Sequence, residues 1–181
     1  MHKHTQLPIT IISIIILSLA GDAPLAAAPA QSPGQTAFNF FVSKGLSKPQ
    51  AAGIVGNLVQ ESGINPSSVQ PGGPGRGVAQ WSVGARWDRS ANDNLQWYAT
   101  SHHMAAGALA TQLNFIWYEL TAFQGYGLRA LRAASTVALA THVFAASFEA
   151  CGVCNEPRRI AAAQSALQSF GGTTRLARRR P

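Results

Sequence analysis

The chain has 181 residues, 46% of them hydrophobic, with 14 Lys and Arg against seven Asp and Glu, giving a formal net charge of +7 at pH 7. Any acid chemistry must come from those few carboxyl groups. A chain this basic suits an anionic partner, and on charge alone a cell wall, a membrane surface or a nucleic acid qualifies.

Met1-His2-Lys3-His4 gives a weakly positive start, and Ile9 to Ala20 is an apolar run broken only by Thr10, Ser13 and Ser18. With Ala28-Pro29-Ala30 as an A-x-A cleavage site, residues 1–30 read as a secretory signal peptide. The run is shorter than the roughly 20 residues of a spanning helix, which leaves an uncleaved anchor as the alternative. Cleavage leaves about 150 residues, the size of one domain with a single core. Lys3 and Asp22 go together, so the charge is unchanged and six carboxyl groups remain. Residues 31–35 read as a linker and 36–171 as the domain.

Within it, Ser47 is a candidate N-cap and Pro49 suits a first turn. Ala51, Ile54, Val55, Leu58 and Val59 then recur at helical steps until Gly63 and Pro66 stop the helix. Glu61, three residues after Leu58, falls on the flank of the apolar stripe, where a carboxyl is partly desolvated. The stretch 67–77 is too rich in Gly and Pro for regular structure. Its glycines allow a close approach of backbone to a ligand or serve as a flexible connector. A phosphate cradle is not indicated, since no G-K-[ST] follows.

Further helices are marked by Leu109, Leu113, Ile116, Trp117 and Leu120; by Val137, Ala140, Val143, Phe144, Ser147 and Phe148; and by Ile160, Ala163, Leu167 and Phe170. The last has Asn155 as its cap, Pro157 near its start and Gly171-Gly172 past its end. No sustained period-two alternation occurs, and no repeat has a solenoid period. The fold class is mainly α, a compact helical domain with long Gly/Pro-rich and polar loops around 63–80 and 84–104. Residues 172–181, with Arg175, Arg178, Arg179 and Arg180, read as a disordered basic tail rather than a dedicated binding site.

Glu61-Ser62, Asn65-Pro66 and Gly77-Val78-Ala79-Gln80 resemble the E-S…N-P…G-[LIV]-x-Q signature of lysozyme-like muramidases and lytic transglycosylases. The phage tail lysozyme type of domain is the closer resemblance, through Ala51 to Leu58 before the Glu, Trp81 after the Gln, and Arg86-Trp87. Phe148-Glu149 and Pro157-Arg158-Arg159-Ile160 extend it over about residues 36–170. The resemblance implies a lysozyme-like domain that cleaves the β-1,4 bond between N-acetylmuramic acid and N-acetylglucosamine in peptidoglycan. It makes Glu61 the general acid, Gln80 a hydrogen-bonding residue on the substrate side, Gly77 a point of close chain approach, and Asn65 part of the binding segment. The chemistry asks for such an acid, because a glycosidic oxygen leaves poorly until protonated and a Glu beside apolar bulk favours its neutral form.

The second carboxyl is open. Hydrolases commonly pair two across the bond, whereas lytic transglycosylases use the sugar's own C6 hydroxyl. Asp88, Asp93, Glu119 and Glu149 are the candidates, each also readable as a solvated or capping residue. Glu119 comes first because Trp117 and Tyr118 surround it with apolar bulk. Trp81, Trp87, Trp97, Tyr98 and Tyr126 fall in or near expected loops, where a ring can stack on a sugar; Trp81 and Trp87 are the binding candidates, and Trp117 belongs to a packed stripe.

Cys151-Gly152-Val153-Cys154 has redox C-x-x-C spacing without the βαβ context that motif needs, so a local disulfide is the simpler reading. A zinc site lacks ligand spacing, since His102-His103 lies far off, and neither metal nor cofactor is expected. Two readings remain: an exported monomeric glycosidase acting on peptidoglycan strands in the periplasm or outside the cell, and a non-catalytic basic protein that binds the wall or helps assemble a secretion apparatus. No nucleic-acid recognition motif is present, and contact with a membrane is expected only through the signal before cleavage.

Overall fold

A computed structural model describes residues 30–89 and 91–172. The expected signal peptide, apart from Ala30, and the basic tail, apart from Gly172, lie outside the described residues. Seven α-helices are present among them: α1 (Pro33–Ser43), α2 (Lys48–Ser62), α3 (Leu95–Ser101), α4 (Leu109–Ala122), α5 (Leu128–Ala133), α6 (Val137–Phe144) and α7 (Glu156–Phe170). A short antiparallel hairpin, β1 (Gly75–Arg76) and β2 (Trp81–Ser82), pairs Gly75 with Ser82 and Arg76 with Trp81. The fold is mainly α, as expected.

Helix α2 is the centre of the domain, packed by α7, α6 and α1. Its start is fixed by a reciprocal cap: the Gln50 amide donates to Ser47 Oγ while the Ser47 amide donates to Gln50 Oε1. Its end is Gly63 in the left-handed region, φ 65°. Every residue from Gln50 to Leu58 is buried, so this helix has no open face along that length. Gly53 and Gly56 make this possible. A Cβ on Gly53 would lie 2.8 Å from Ala140 of α6, and one on Gly56 would lie 2.5 Å from the Arg159 carbonyl of α7. The neighbouring backbones occupy the space that side chains would take. Phe38 and Phe41 of α1, Leu113, Phe115 and Ile116 of α4, and Phe144 and Phe148 complete the core. Each fully buried side chain of this size contributes roughly 1.5–3 kcal/mol from area removed from water.

Several elements differ from expectation. Helix α1 begins inside the stretch read as a linker, with Ser32 accepting from the Gln35 amide and Pro33 in the first turn. The expected loop over 84–104 contains α3, capped by Asn94 accepting from the Trp97 amide. Seven residues make too few turns to show a period. The two-residue strands are likewise too short to show alternation. The helix expected to run to Phe148 is α-helical only to Phe144 and then widens into a π-turn over Ala145–Glu149. Asn155 precedes α7 in the left-handed region, φ 46°, but its side chain makes no cap hydrogen bond. Among the described residues no helix is long and apolar enough to cross a membrane.

Candidate active site

Glu61 stands in the last turn of α2, and Ser62 Oγ, donating to the Val78 carbonyl at 2.9 Å, ties that turn to the hairpin. Between them opens a cavity of about 280 Å³, lined by Glu61, Gln80, Trp81, Arg86, Glu149 and Cys151 among others. A larger hollow of about 540 Å³, bordered by Leu120, Leu128, Arg129 and Arg132, has no carboxyl in its wall. Among the described residues the other larger hollows hold one carboxyl between them, Asp93, already paired with Arg89, so chemistry selects the smaller one, where two carboxyls meet.

The Glu61 side chain is 20% exposed, and its Oε1 accepts from Arg159 Nη2 at 2.5 Å. Arg159, buried in the first turn of α7, also donates from Nη1 to Asn57 Oδ1 at 3.0 Å and from Nε to the Cys154 carbonyl at 2.6 Å. Asn57, fully buried, donates in turn to the Gly53 and Thr141 carbonyls. A chain of satisfied polar groups thus runs from α6 through α2 to α7 and ends on Glu61. The Cys151–Cys154 disulfide is present and closes the segment that supplies the Cys154 carbonyl.

Glu149 closes the π-turn from the other side. Although the residue as a whole is half-buried, its Oε1 is sealed from solvent with no hydrogen-bond partner among the described residues. Burial pushes its carboxyl up to about 8. The neighbouring charges of Glu61 and Glu119 act in the same direction, while Arg86 and Arg159 oppose the shift.

Glu119 is placed differently. It is 1% exposed, and its two oxygens accept from Arg86 Nε at 2.7 Å, Arg86 Nη2 at 2.8 Å and Trp81 Nε1 at 3.0 Å. Burial pushes its carboxyl above the ordinary value against the pull of these donors. Three N–H groups on two oxygens are the setting of a carboxylate, and we take the pair as ionised. Arg86 lies over the rings of Tyr126 and Phe148, at 4.6 and 4.4 Å from their centroids, and its Nη1 donates to the Phe148 carbonyl. The apolar bulk expected around Glu119 is there, but it encloses an ion pair and holds Glu119 out of the cavity wall.

The aromatic residues expected in or near loops are buried or half-buried in the structure. The Trp81 ring is 1% exposed and packs on Phe115 at 5.5 Å, with its N–H on Glu119, so it has no face free for a sugar. Trp87 packs against the core; Trp97 and Tyr98 are on α3 and pack on Tyr118; Tyr126 lies against Arg86. Asn65 is exposed and accepts from the Ser67 amide, a turn-forming contact. At Gly77, φ 71°, the group in close approach is the buried Gln112 side chain, which a Cβ would meet at 2.6 Å. Gln80, also at positive φ, reaches the cavity wall while its Nε2 donates to the Gly77 carbonyl. Asp88 is exposed and accepts from the Gly84 amide, and Asp93 pairs with Arg89. Among the described residues no group of three or more His, Cys, Asp or Glu could hold a metal ion.

Arg159 and Arg86 hold the site together and had no assigned role in the sequence. A signal existed for Arg159: it stands four and seven residues before Ala163 and Ala166, on the buried face of α7. A family profile described as phage tail lysozyme matches residues 34–170, a span that contains every residue of this cavity. Comparison with curated proteins finds no match.

Proposed function

The chain belongs to the phage tail lysozyme family, and we propose that it is an exported glycosidase that cleaves the β-1,4 bond between N-acetylmuramic acid and N-acetylglucosamine in peptidoglycan, with Glu61 as general acid. The observation that carries this reading is the cavity at the end of α2, where Glu61 faces a second carboxyl, Glu149, within the family span. In the reaction, Glu61 first takes up a proton from solvent against its pairing with Arg159, then passes it to the glycosidic oxygen as the C1–O bond breaks, and the carboxylate re-formed stabilises the cationic sugar. Water, or the C6 hydroxyl of the same sugar, then bonds to C1 and returns its proton to Glu61. Arg159 holds one Glu61 oxygen in place throughout, and its charge balances the carboxylate formed. Export is supported by the disulfide and by the A-x-A sequence at Ala28-Pro29-Ala30; the formal charge of +7 suits an anionic wall.

Muropeptide release from purified sacculi tests the reading. Wild type should release fragments and Glu61→Gln should lower the rate by about 10²-fold or more; equal release by both would end the enzymatic assignment. Mass spectrometry of the fragments separates reducing ends from 1,6-anhydro ends. A second reading rests on the ion pair itself. If Arg159 keeps Glu61 permanently engaged, the protein binds the wall without cutting it, and wild type would sediment with sacculi yet release nothing.

A further inference from the structure

We propose that Glu149 works as a neutral carboxylic acid, donating its O–H to an uncharged oxygen of the amino sugar bound in the Glu61 cavity, and so positions the substrate. This rests on the reading that the glycan is cut in this cavity. Three carboxyls and two guanidiniums converge here. Arg86 is matched to Glu119 and Arg159 to Glu61, each at hydrogen-bond distance, and Glu149 is the one of the three left without a counter-charge among the described residues. An ionised carboxylate with one oxygen sealed away from any donor would cost several kcal/mol. A protonated one needs no counter-ion: Oε1 can remain a carbonyl oxygen at modest cost, and Oε2, on a residue that lines the cavity, is then the O–H left to donate.

The other long side chains in the wall spend most of their donors elsewhere. Trp81 Nε1 and the Arg86 guanidinium are turned to Glu119 and the Phe148 carbonyl, and Gln80 Nε2 is turned to Gly77. Glu61 brings an acceptor already shared with Arg159. A sugar hydroxyl or acetamido oxygen entering here finds its side-chain donors in Ser82, in the N–H groups that Arg86 and Gln80 have left over, and in a protonated Glu149. The π-turn that ends at Glu149 widens the helix just before this residue, an irregularity frequent at functional sites. Burial disfavours a charge on Glu149, Glu61 and Glu119 disfavour it further, and Arg86 and Arg159 only partly offset them. The carboxyl, held up to about 8, is neutral at pH 7.

The test is binding by the full wild-type chain, from pH 6 to 9.5, of a soluble peptidoglycan oligosaccharide whose glycosidic oxygens are replaced by sulfur, so that the ligand stays intact and the Glu61–Arg159 pair is kept. Kd should be flat up to about pH 8 and then rise by up to tenfold per pH unit as the donor becomes a like charge to the cavity. Glu149→Gln, whose amide also donates, should weaken binding about threefold at pH 7 and remove the alkaline rise. Glu149→Leu should weaken it about tenfold. With the cleavable oligosaccharide the same changes should appear in KM with little change in kcat. A flat Kd across the range overturns the proposal. So does a loss of about 10²-fold in kcat for Glu149→Gln with KM intact, which would make Glu149 a proton carrier. The wild-type pH profile requires no variant to fold, and oligosaccharide binding is measured separately from sacculus cleavage, so failure here is distinct from failure of the glycosidase reading.

Discussion

Replacing Glu119 with alanine takes away three hydrogen bonds and leaves the Arg86 guanidinium uncompensated between Tyr126 and Phe148. The carboxyl is 1% exposed and the Arg86 side chain 24%, so water makes good little of the loss. Breaking one partner out of such a buried pair costs about 3–5 kcal/mol, and the orphaned Trp81 N–H adds about 1 kcal/mol. For a domain of this size each kcal/mol moves Tm by roughly 3–5 °C, so Glu119→Ala should melt about 12–30 °C below wild type. Glu119→Gln keeps an acceptor but not the charge and should fall between them.

The double variant R86M/E119M separates the pair from the fold. It buries two apolar side chains where two charges stood and should lie within about 2 kcal/mol of wild type, above either single variant. Thermal melts followed by circular dichroism give the stabilities, and muropeptide release well below each Tm gives activity. Glu119→Gln should retain turnover within about threefold, because Glu119 does not line the cavity. If it instead melted within 2 °C of wild type and lost turnover, Glu119 would belong to the chemistry and the assignment made from its ion pair would be wrong.

Three further outcomes follow from the same contacts. Glu149, raised when folded to about 8 from an ordinary 4.5, holds a proton in the folded chain that the unfolded chain releases between those values. Its contribution is therefore full below about pH 4.5 and lost as pH rises through about 8, a loss of several kcal/mol; Tm measured across that window should fall, and Glu149→Gln should flatten the fall. Gly56→Ala, whose Cβ would lie 2.5 Å from the Arg159 carbonyl, should cost about 1–3 kcal/mol and lower turnover by displacing α7, with a Tm and a release assay as the check. Replacing both cysteines with serine removes a cross-link over so short a loop that the entropy lost is only about 2 kcal/mol; turnover should drop several-fold more than Tm suggests, because the Cys154 carbonyl that holds Arg159 Nε is no longer fixed.

What could be read from the sequence was what local chemistry writes into consecutive residues. Helix α2 carries its own start, stripe and stop in Ser47, Gln50, the Ile54–Val55–Leu58 steps and Gly63, and the flank position of Glu61 follows from that register. Helix α3, helix α5 and the hairpin are too short for any period to accumulate. In α7 the run Ala161-Ala162-Ala163 gives little contrast between faces, so the stripe was set on Ile160 when Arg159 is the more deeply buried residue. The choice between Glu119 and Glu149 was beyond local reasoning. Apolar neighbours correctly marked Glu119 as buried, yet whether a buried carboxyl is neutral or paired depends on a cation from elsewhere, and Arg86 is 33 residues away. Glu149 lines the cavity from the end of a π-turn, which no apolar spacing announces.

The two halves of the site are joined through Arg86. One edge of its guanidinium is bonded to Glu119, which holds the Trp81 indole and with it strand β2 of the cavity wall; Nη1 is bonded to the Phe148 carbonyl, the residue immediately before Glu149. A cation placed to neutralise Glu119 therefore also fixes the backbone that presents Glu149, while its charge is too committed to Glu119 to ionise Glu149 as well. On the opposite wall Arg159 does the same for Glu61, reaching it only because Gly56 lets α7 approach α2. Each arginine is thus a positioning residue for one carboxyl of the cavity. Exchanging either for lysine would keep the charge and lose the fork that makes two contacts at once, so the defect should appear in substrate binding and turnover more than in net electrostatics.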